Sequence, residues 1–598
     1  MYSLFFIDIR MKNRLLFIGL TITAYLLFGC INNSKKVDNL RTFAKAYGYV
    51  KYFHPSDEVA DINWAKFSSY GAKEIEKCSS TEQVVETLKR LFCPIAPSVR
   101  FSVSQNEPKY DLKIITPDDT TGYSLIYWQH QGVSIDMKMS QPNTYKSVRV
   151  NREIKHEEKI FKVQPQVGTI ITKNISKEIY CQIPLVLYCN EKGTYPQADS
   201  ISLKLLKIDL NKFDFNIEKL ALRTGNVINT YNVFQHFYPY FDVVDVNWDD
   251  ELIKALSRSF TDKTMEDHLI TLEKFTAPLK DGHVSVNYNL SKYAAPPIWW
   301  EWIENKLVIT HNFKSNPNIN VGDIVTQING ISAAKYFEEI NSRISAGTKG
   351  WLKYRAEMMS LLGDKGSSLK LRINDKMIEI QLEDNPYDSG RALMKDEKRY
   401  TQIGDSIWYL NMDMIEMDTI NKLLPILEKC NAIICDARGY PKDNHDFITH
   451  LMKTDDTTTA WMQIPQIIYP DHKNITGYKK SNWMLKAKKP YLGDKKIVYI
   501  INGSAISYAE SCLGYIEGYK LATIVGQPSA GTNGNINPFE LPGGYTISWT
   551  GMKVLKHNGS QHHGIGIIPN VYVEKTITGV IEGRDEFLEK AIEIAKQK

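Results

Sequence analysis

From Ile407 to the C-terminus, short apolar runs alternate with amphipathic segments, and this alternation restricts the fold more than any other feature of the chain. Strands that alternate with helices form a mostly parallel sheet with right-handed crossovers and helices on its faces. The sequence therefore predicts an α/β layer here. The predicted strands are Ile407–Leu410, Ala432–Asp436, Ile497–Asn502 and Leu521–Val525, and the predicted helices are Ile420–Glu428, Phe447–Lys453 and Tyr508–Tyr519.

The length and charge of the chain limit the classes of protein it can belong to. Its 598 residues correspond to about three or four domains. The 73 Lys and Arg nearly balance the 68 Asp and Glu, so we expect no nucleic-acid partner. Because the sequence has no zinc-type Cys/His cluster, Walker loop or dinucleotide fingerprint, we expect no metal and no other cofactor.

The first thirty residues have the features of an export signal. Basic residues precede the apolar run Leu15–Phe28, which ends at Gly29 and Cys30. The arrangement resembles a bacterial lipoprotein signal, in which residues 1–29 are removed, Cys30 is lipidated and residues 30–37 form a tether. We therefore expect a lipid-anchored protein of the bacterial cell envelope, on the periplasmic or outer-surface side. An uncleaved anchor is the alternative, although the run is shorter than the ~20 residues that a spanning helix needs.

The cysteines do not indicate a disulfide framework. The chain has eight, and apart from the predicted lipidation site their number is odd. Cys181 and Cys189 flank a β-rich run and could pair, but we expect most of the cysteines to be buried apolar thiols.

Two segments of the N-terminal half repeat one pattern. Leu-Arg-Thr, Phe-x-Pro and Asn-Trp follow one another in residues 40–64 and again in residues 222–248. We interpret them as two helical copies, over 38–104 and 216–295. The second copy ends in the run Asp-Gly-His at His283, whereas the first has no His there, so any chemical role belongs to the second copy.

Two further regions have β character. Residues 105–215 alternate polar and apolar side chains and predict a β-rich accessory domain. Within residues 296–384, the Asn329-Gly330 pair predicts a hairpin turn. The run Val321–Ile331 resembles a stretch of PDZ domains, which add an extended peptide to a sheet edge. Any other small β-domain with an Asn-Gly turn is the alternative.

Three runs contain residues that could carry chemistry. An apolar strand leads through a Gly/Ser turn, with Ser504 and Ser507, into a helix whose N-terminus favours a developing oxyanion; both serines could instead be N-caps. Gly439 follows another strand end, where α/β sheets gather active sites, but the run could be a simple turn. His283 could be a general base, although a lone His is usually structural.

Together these runs resemble one family over residues 218–598. The Asp-Gly-His run, the Asp-x-Arg-Gly-x-Pro run, the Ser-Tyr-Ala-Glu run and the Gly-x-Gly-x-x-Pro run have the order found in the tail-specific, C-terminal-processing serine peptidases, closest to their tricorn-core-like branch. The resemblance implies Ser507 as nucleophile and the backbone N–H groups of Tyr508 and Gly439 as oxyanion donors. Where another branch has its Lys base this chain has Thr532, so the resemblance implies His283 as the base.

The sequence departs from that pattern at one place. The tricorn-like branch has a Glu just before its final Gly-x-Gly region, and this chain has Gln561-His562-His563 there. His563 or Gln561 is therefore the candidate for orienting His283.

The fold class that follows is multidomain α+β. The resemblance implies an α/β, ClpP/crotonase-like peptidase core over residues 385–598, joined to the PDZ-like domain, the helical segments and the β-rich accessory domain. We predict a serine endopeptidase that hydrolyses peptides or protein tails outside the cytoplasm. The alternative is a catalytically inactive envelope lipoprotein that binds peptides or another ligand. The sequence makes no prediction of the oligomeric state.

Overall fold

The structure is a computed structural model. It describes residues 33–131, 146–150, 160–289, 293–314, 316–383, 398–472 and 474–597. The predicted signal and Cys30 lie outside the described residues. No helix in the described ranges is both long enough and apolar enough to cross a membrane.

A six-stranded sheet, here called the core sheet, organises the C-terminal region. The four strands predicted from the alternation lie side by side and parallel, which confirms the α/β layer. The strand Ala432–Asp436 is buried along its whole length, as expected for a parallel strand covered on both faces. In sheet order the strands are Tyr400–Ile403, Ile407–Asn411, Ala432–Asp436, Lys496–Ile501, Thr523–Gly526 and Val571–Tyr572, and the helices of the region are Met417–Leu427, Ile448–Leu451, Tyr508–Gly518, Ile577–Ile581 and Glu586–Ala595.

The repeated sequence pattern folds into repeated helices, as predicted. In each copy an Asn caps the helix that begins at the following Trp: Asn63 accepts from Lys66 N, and Asn247 accepts from Asp250 N. The two copies share one hydrophobic core. The helices of the first copy are 33–53, Asp57–Asp61, Trp64–Glu76 and Thr81–Phe92, and those of the second are Lys219–Phe237, Trp248–Ser259 and Met265–Thr276.

The repetition continues beyond the helices. Each copy leads into a strand that forms the edge of a three-stranded antiparallel sheet. The sheet of the first copy is Arg100–Val103, Ile179–Pro184 and Ile170–Ser176, and that of the second is Ser285–Tyr288, Tyr545–Thr550 and Ile536–Leu541. Because two strands of the second sheet belong to the C-terminal region, His283 is brought beside that region.

Residues 105–215 are rich in strands, as predicted, but their sheet is not confined to them. The strand Ser124–Gln131 pairs with Met462–Ile467 of the C-terminal region. The seven-stranded sheet that results therefore joins the accessory region to the C-terminal region. Its strands are Gly477–Ser481, Met462–Ile467, Ser124–Gln131, Leu187–Asn190, Gly193–Tyr195, Lys146–Val150 and Lys553–Val554, and the region also contains the helix Ser200–Lys212.

The pairing of Cys181 with Cys189 does not occur. Both are buried free thiols. Cys181 packs into the core of the helical copies, and Cys189 packs into a separate small cluster, because their strands belong to different sheets. Three other cysteines are buried thiols as expected: Cys430, Cys435 and Cys512.

Residues 298–381 form a unit with its own hydrophobic core. Asn329 and Gly330 have φ values of 50° and 79°, and Ile328 pairs with Ile331 across them. This confirms the predicted hairpin turn, because a two-residue turn with positive φ at both positions matches the strand twist. The strands are Ile298–Ile303, Lys306–Asn312, Ile324–Ile328, Ile331–Ser332, Ser368–Ile373 and Lys376–Gln381, and the helices are Ala333–Asn341 and Lys349–Met359.

Candidate active site

Ser507 occupies a strained turn between a core strand and a helix. The strand Lys496–Ile501 ends at the turn, and the helix Tyr508–Gly518 starts directly after Ser507. Ser507 has φ 60° and ψ −117°, a conformation that costs a non-glycine residue of order 1–3 kcal/mol and is concentrated at functional sites. Its side chain makes no capping hydrogen bond, so the Ser507 hydroxyl does not act as an N-cap.

Ser504, the other serine of the turn, has its hydroxyl engaged in the fold. The hydroxyl donates to the backbone carbonyl of Arg438 and lies 2.7 Å from Asn502 Oδ1. These contacts tie the turn to the loop that carries Gly439. Ser504 therefore has a structural role, whereas the Ser507 side chain makes no capping bond and the residue is half-buried.

The two expected oxyanion donors flank this turn. The Tyr508 N–H belongs to the first helical residue, and such N–H groups have no partner within a helix. Within the described residues, no backbone acceptor bonds to the N–H of Tyr508 or Gly439. A methyl group at position 439 would lie 2.3 Å from Asp413 Oδ2, so that carboxylate would have to move to admit a larger residue.

The loop that carries Gly439 is held by a partly buried ion-pair network. Arg438 donates to Asp436 Oδ2 and to Asp585 Oδ2, each at 2.6 Å. The guanidinium also lies 5.6 Å from the Phe587 ring centroid. Because Asp436 ends a core strand and Asp585 caps the last helix, these bonds fix the loop against two elements of the core.

His283 is held by a threonine and a carboxylate. Its Nδ1 lies 2.8 Å from Thr550 Oγ1, and Thr550 Oγ1 donates to Asp281 Oδ1 at 2.6 Å. Asp281 also accepts from the backbone N–H of His283 at 3.0 Å and of Thr550 at 2.8 Å. Its own N–H donates to Ser345 Oγ at 2.8 Å.

These bonds determine the tautomer of the imidazole. A hydroxyl has one proton, and Thr550 gives that proton to the Asp281 carboxylate. Nδ1 of His283 must therefore be the donor to Thr550, which leaves the lone pair on Nε2. Nε2 is buried and has no partner among the described residues, so it is available to accept a proton.

The environment of His283 keeps the ring neutral. Burial lowers the pKa of His283 below its ordinary value of 6.5, while the charges of Asp281 and Glu510 act in the opposite direction. A neutral imidazole is the form that a general base requires.

Thr532 connects the two halves of the site. Its carbonyl accepts from the N–H of Ser507 at 2.9 Å, and its hydroxyl accepts from the N–H of Gly282 at 2.9 Å. A methyl group added to Gly282 would lie 3.0 Å from Ile506 Cδ1. The Asp-Gly-His loop and the Ser507 turn are therefore in contact, although no hydrogen bond joins His283 Nε2 to Ser507 in the described chain.

Glu510 holds the loop that contains Thr532. Its buried carboxylate accepts from Ser529 Oγ at 2.5 Å, from Gly531 N at 2.7 Å and from Thr532 N at 2.8 Å. Glu510, three residues after Ser507, thus positions the strand-end loop that accepts the N–H of Ser507.

Gln561 and His563 interact with each other and with the second helical copy. Gln561 Nε2 donates to the carbonyl of His563 at 2.8 Å, and the His563 ring stacks on Tyr240 with centroids 3.8 Å apart. Burial lowers the pKa of His563 to about 4. The Nδ1 of His283 contacts Thr550 rather than either residue.

Sequence reasoning did not identify Asp281, Thr550 or the carboxylate of Glu510 as parts of the site. The sequence did contain an indication of Asp281, because this residue stands two positions before His283 in the same motif. The sequence contained no indication of Thr550, because its place beside His283 depends on the pairing of Ser548 with Ser285 in the three-stranded sheet.

No group of three or more His, Cys, Asp and Glu side chains in the described ranges is arranged to hold a metal ion. The groups gathered at the turn are a hydroxyl, a neutral imidazole and two free N–H groups. This set can carry out nucleophilic acyl transfer.

Comparison with solved structures shows the same fold. Mature CPAF complexed with lactacystin has a TM-score of 0.52 and 12% identity, over 63% of this chain and 98% of that one. A second structure of mature CPAF has a TM-score of 0.51 and 13% identity, over 63% and 97%. The photosystem II D1 C-terminal processing protease is more distant, with a TM-score of 0.33 and 11% identity over 58% and 92%. No curated protein matches the chain.

A match to a peptidase family model and the shared fold identify a serine-type peptidase with a multidomain α+β architecture. The model of Peptidase family S41 matches residues 452–573, which include Ser507, Glu510, Thr532 and Thr550. Over this segment the chain is similar to the tail-specific serine peptidases.

Proposed function

We propose that the protein hydrolyses peptide bonds of peptides or protein tails with Ser507 as nucleophile and His283 as general base. The observation that carries the proposal is the combination of a strained, uncapped Ser507 with a buried His283 Nε2 that has no partner among the described residues. Thr532 bonds both to Ser507 and to Gly282, the residue before His283. Catalytic hydrogen bonds are often long in the absence of substrate, so the missing Ser507–His283 bond is compatible with this assignment.

In the acylation step, His283 Nε2 accepts the Ser507 proton as Oγ attacks the scissile carbonyl. The carbonyl oxygen becomes an oxyanion that the N–H groups of Tyr508 and Gly439 stabilise, and the loss of one such donor typically costs ~10²–10³ in rate. The imidazolium then gives its proton to the leaving amine, and the C–N bond breaks to leave an acyl-Ser507 ester.

In the deacylation step, His283 Nε2 accepts a proton from water, which attacks the ester carbonyl. Collapse of the second tetrahedral intermediate releases the new carboxyl terminus and returns the proton to Ser507. Throughout, Thr550 and Asp281 hold the imidazole in the same orientation and stabilise its protonated form.

The location of the activity is part of the proposal. The basic and apolar N-terminal run ending in Cys30 supports export and lipid anchoring at the bacterial cell envelope. Mass spectrometry of the membrane fraction is expected to find a chain that begins at a diacylated Cys30. An unmodified chain that still carries residues 1–29 would contradict this part.

The catalytic assignment is tested with a serine-directed fluorophosphonate probe and a mixture of peptides labelled at various positions. Wild-type protein is expected to incorporate the probe at Ser507, as found by peptide mapping, and to cleave the peptides. Ser507→Ala is expected to lose both the labelling and at least about 10³ in kcat/KM, since the nucleophile is absent.

Ser504→Ala is the matched control in the same turn. Because the Ser504 hydroxyl is bonded to Arg438 and Asn502, this variant is expected to retain labelling at Ser507. Loss of labelling in Ser504→Ala with retention in Ser507→Ala would reverse the assignment. Labelling of neither serine in the wild-type protein, together with peptide binding and no turnover, would instead support a non-catalytic peptide binder.

A further inference from the structure

Aromatic side chains stand next to both proposed oxyanion donors. Tyr508 is itself one donor, and Tyr440 directly follows the other, Gly439. The ring centroids of Tyr440 and Tyr508 lie 5.8 Å apart, with an angle of 41° between the ring planes. Tyr440 is 56% exposed, although aromatic rings contribute large stabilisation when they are buried. Its ring is therefore accessible to a ligand at the reaction centre.

The ring of Tyr508 is held in place from the protein side. Its hydroxyl accepts from the backbone N–H of His445 at 3.2 Å and lies 2.8 Å from His445 Nδ1. Trp483 lies 5.8 Å from Tyr508 and stacks on Tyr515 at 5.7 Å, and Tyr515 is fully buried in the core. Burial raises the pKa of Tyr508 well above its ordinary value of 10.0, so the phenol is neutral at physiological pH.

The position of these rings relates them to the substrate. The N–H groups of Tyr508 and Gly439 would hold the carbonyl of the residue whose peptide bond is cleaved. One ring belongs to the first of these donor residues and the other to the residue directly after the second, so both side chains adjoin the backbone that would hold this carbonyl. The rings present apolar, uncharged surface there, and such surface favours aromatic or large aliphatic side chains over charged ones.

We propose that Tyr440 and Tyr508, supported by Trp483, form a subsite for an aromatic or large aliphatic side chain next to the scissile bond. The inference rests on the proposed function, because it takes the reaction centre to be at Ser507. Tyr440 is a specificity-determining residue in this arrangement, since no step of bond making or breaking uses its side chain.

The experiment compares two peptides that differ only at the residue next to the cleavage site, with Phe or Leu in one and Ala in the other. Wild-type protein is expected to prefer the larger side chain. Tyr440→Ala is expected to lower kcat/KM about tenfold for the Phe or Leu peptide, a loss typical of one apolar contact, and less than threefold for the Ala peptide. Tyr440→Phe is expected to retain the preference, because the ring remains.

Tyr572→Ala is the matched control, because Tyr572 is exposed to a similar degree, 60%, and contacts Glu574 away from the turn. The same peptides are also titrated against Ser507→Ala and Ser507→Ala/Tyr440→Ala by fluorescence anisotropy. Weaker binding of only the large-residue peptide to the double variant supports the subsite. If the two Ser507→Ala proteins bind both peptides equally well, the subsite is overturned even where no turnover occurs. Turnover by the wild-type protein without any preference also overturns the subsite, but it leaves the proposed function intact.

Discussion

Asp281 determines the tautomer of His283 and raises its pKa. The carboxylate takes the Thr550 proton, so Nδ1 remains protonated, and its charge raises the pKa of His283 against the effect of burial. In the wild-type protein burial lowers the pKa of His283, so Nε2 becomes protonated only at a pH below that of an ordinary histidine. The acidic limb of kcat/KM is therefore expected to have its midpoint below about 6.5.

Asp281→Asn is expected to move this midpoint to still lower pH and to reduce kcat about 100-fold or more, since the imidazole loses the group that orients it. The measurement is the pH profile of peptide hydrolysis, with a melting curve to establish that the variant is folded. Thr550→Ser retains the hydroxyl and should reproduce the wild-type midpoint. A folded Asp281→Asn protein with an unchanged profile would show that the relay through Thr550 has no catalytic role.

Among the secondary-structure elements, the sequence predicted those features that depend only on residues close together in the chain. The four parallel strands of the core sheet and the Asn329-Gly330 turn follow from local periodicity and turn chemistry. The place of Thr550 beside His283, and the pairing of Ser124–Gln131 with Met462–Ile467, depend on register between distant segments. No local pattern contains that register, so the catalytic loop could be predicted as a candidate but its orienting partner could not.

The helix Lys349–Met359 supports the Ser507 turn through a contact between two glycines. A methyl group at Gly503 would lie 2.4 Å from the carbonyl carbon of Gly350 and 2.6 Å from its Cα. Gly503→Ala is therefore expected to displace the helix and the turn together, at a cost of about 1–3 kcal/mol in unfolding free energy and a clear loss of kcat/KM. Thermal denaturation and peptide hydrolysis measure the two effects.

Gly514→Ala provides the comparison on the helix that follows Ser507. A methyl group there would have its nearest neighbour at an ordinary contact distance of 3.4 Å, and alanine has the higher helix propensity. This variant is expected to be as stable as the wild-type protein or more so. If Gly503→Ala matched it in both stability and turnover, the glycine contact would not constrain the turn.

For the whole molecule, the site exists only because the second helical copy carries His283 to the C-terminal region. That copy is packed against the first, and Asp249 is one of the polar links between them. Its carboxylate accepts from Arg41 at 2.8 Å, from Lys45 at 2.6 Å and from Tyr231 at 2.7 Å. The first copy has no His at the corresponding loop, so we infer that it acts as a support for the catalytic copy.

Asp249→Asn is expected to weaken this support. Although burial acts against it, hydrogen bonds from Lys45 and Arg41 lower the pKa of Asp249 from 3.8 to about 2. A carboxyl whose pKa is depressed by folding contributes stability above its unfolded pKa and loses it as the pH falls through the folded value. The difference in unfolding free energy between wild type and variant should thus be constant from pH 7 to about 5, at about 1–2 kcal/mol after allowance for solvent screening, and shrink from pH 4 toward 2.

Calorimetry of the full chain measures this difference. The adjacent Asp250→Asn is the control, because it removes the same charge from the same helix turn. Equal destabilisation by both variants would show that Asp249 acts only through its charge at the helix N-terminus. Its bonds to the first copy would then contribute no measurable stability.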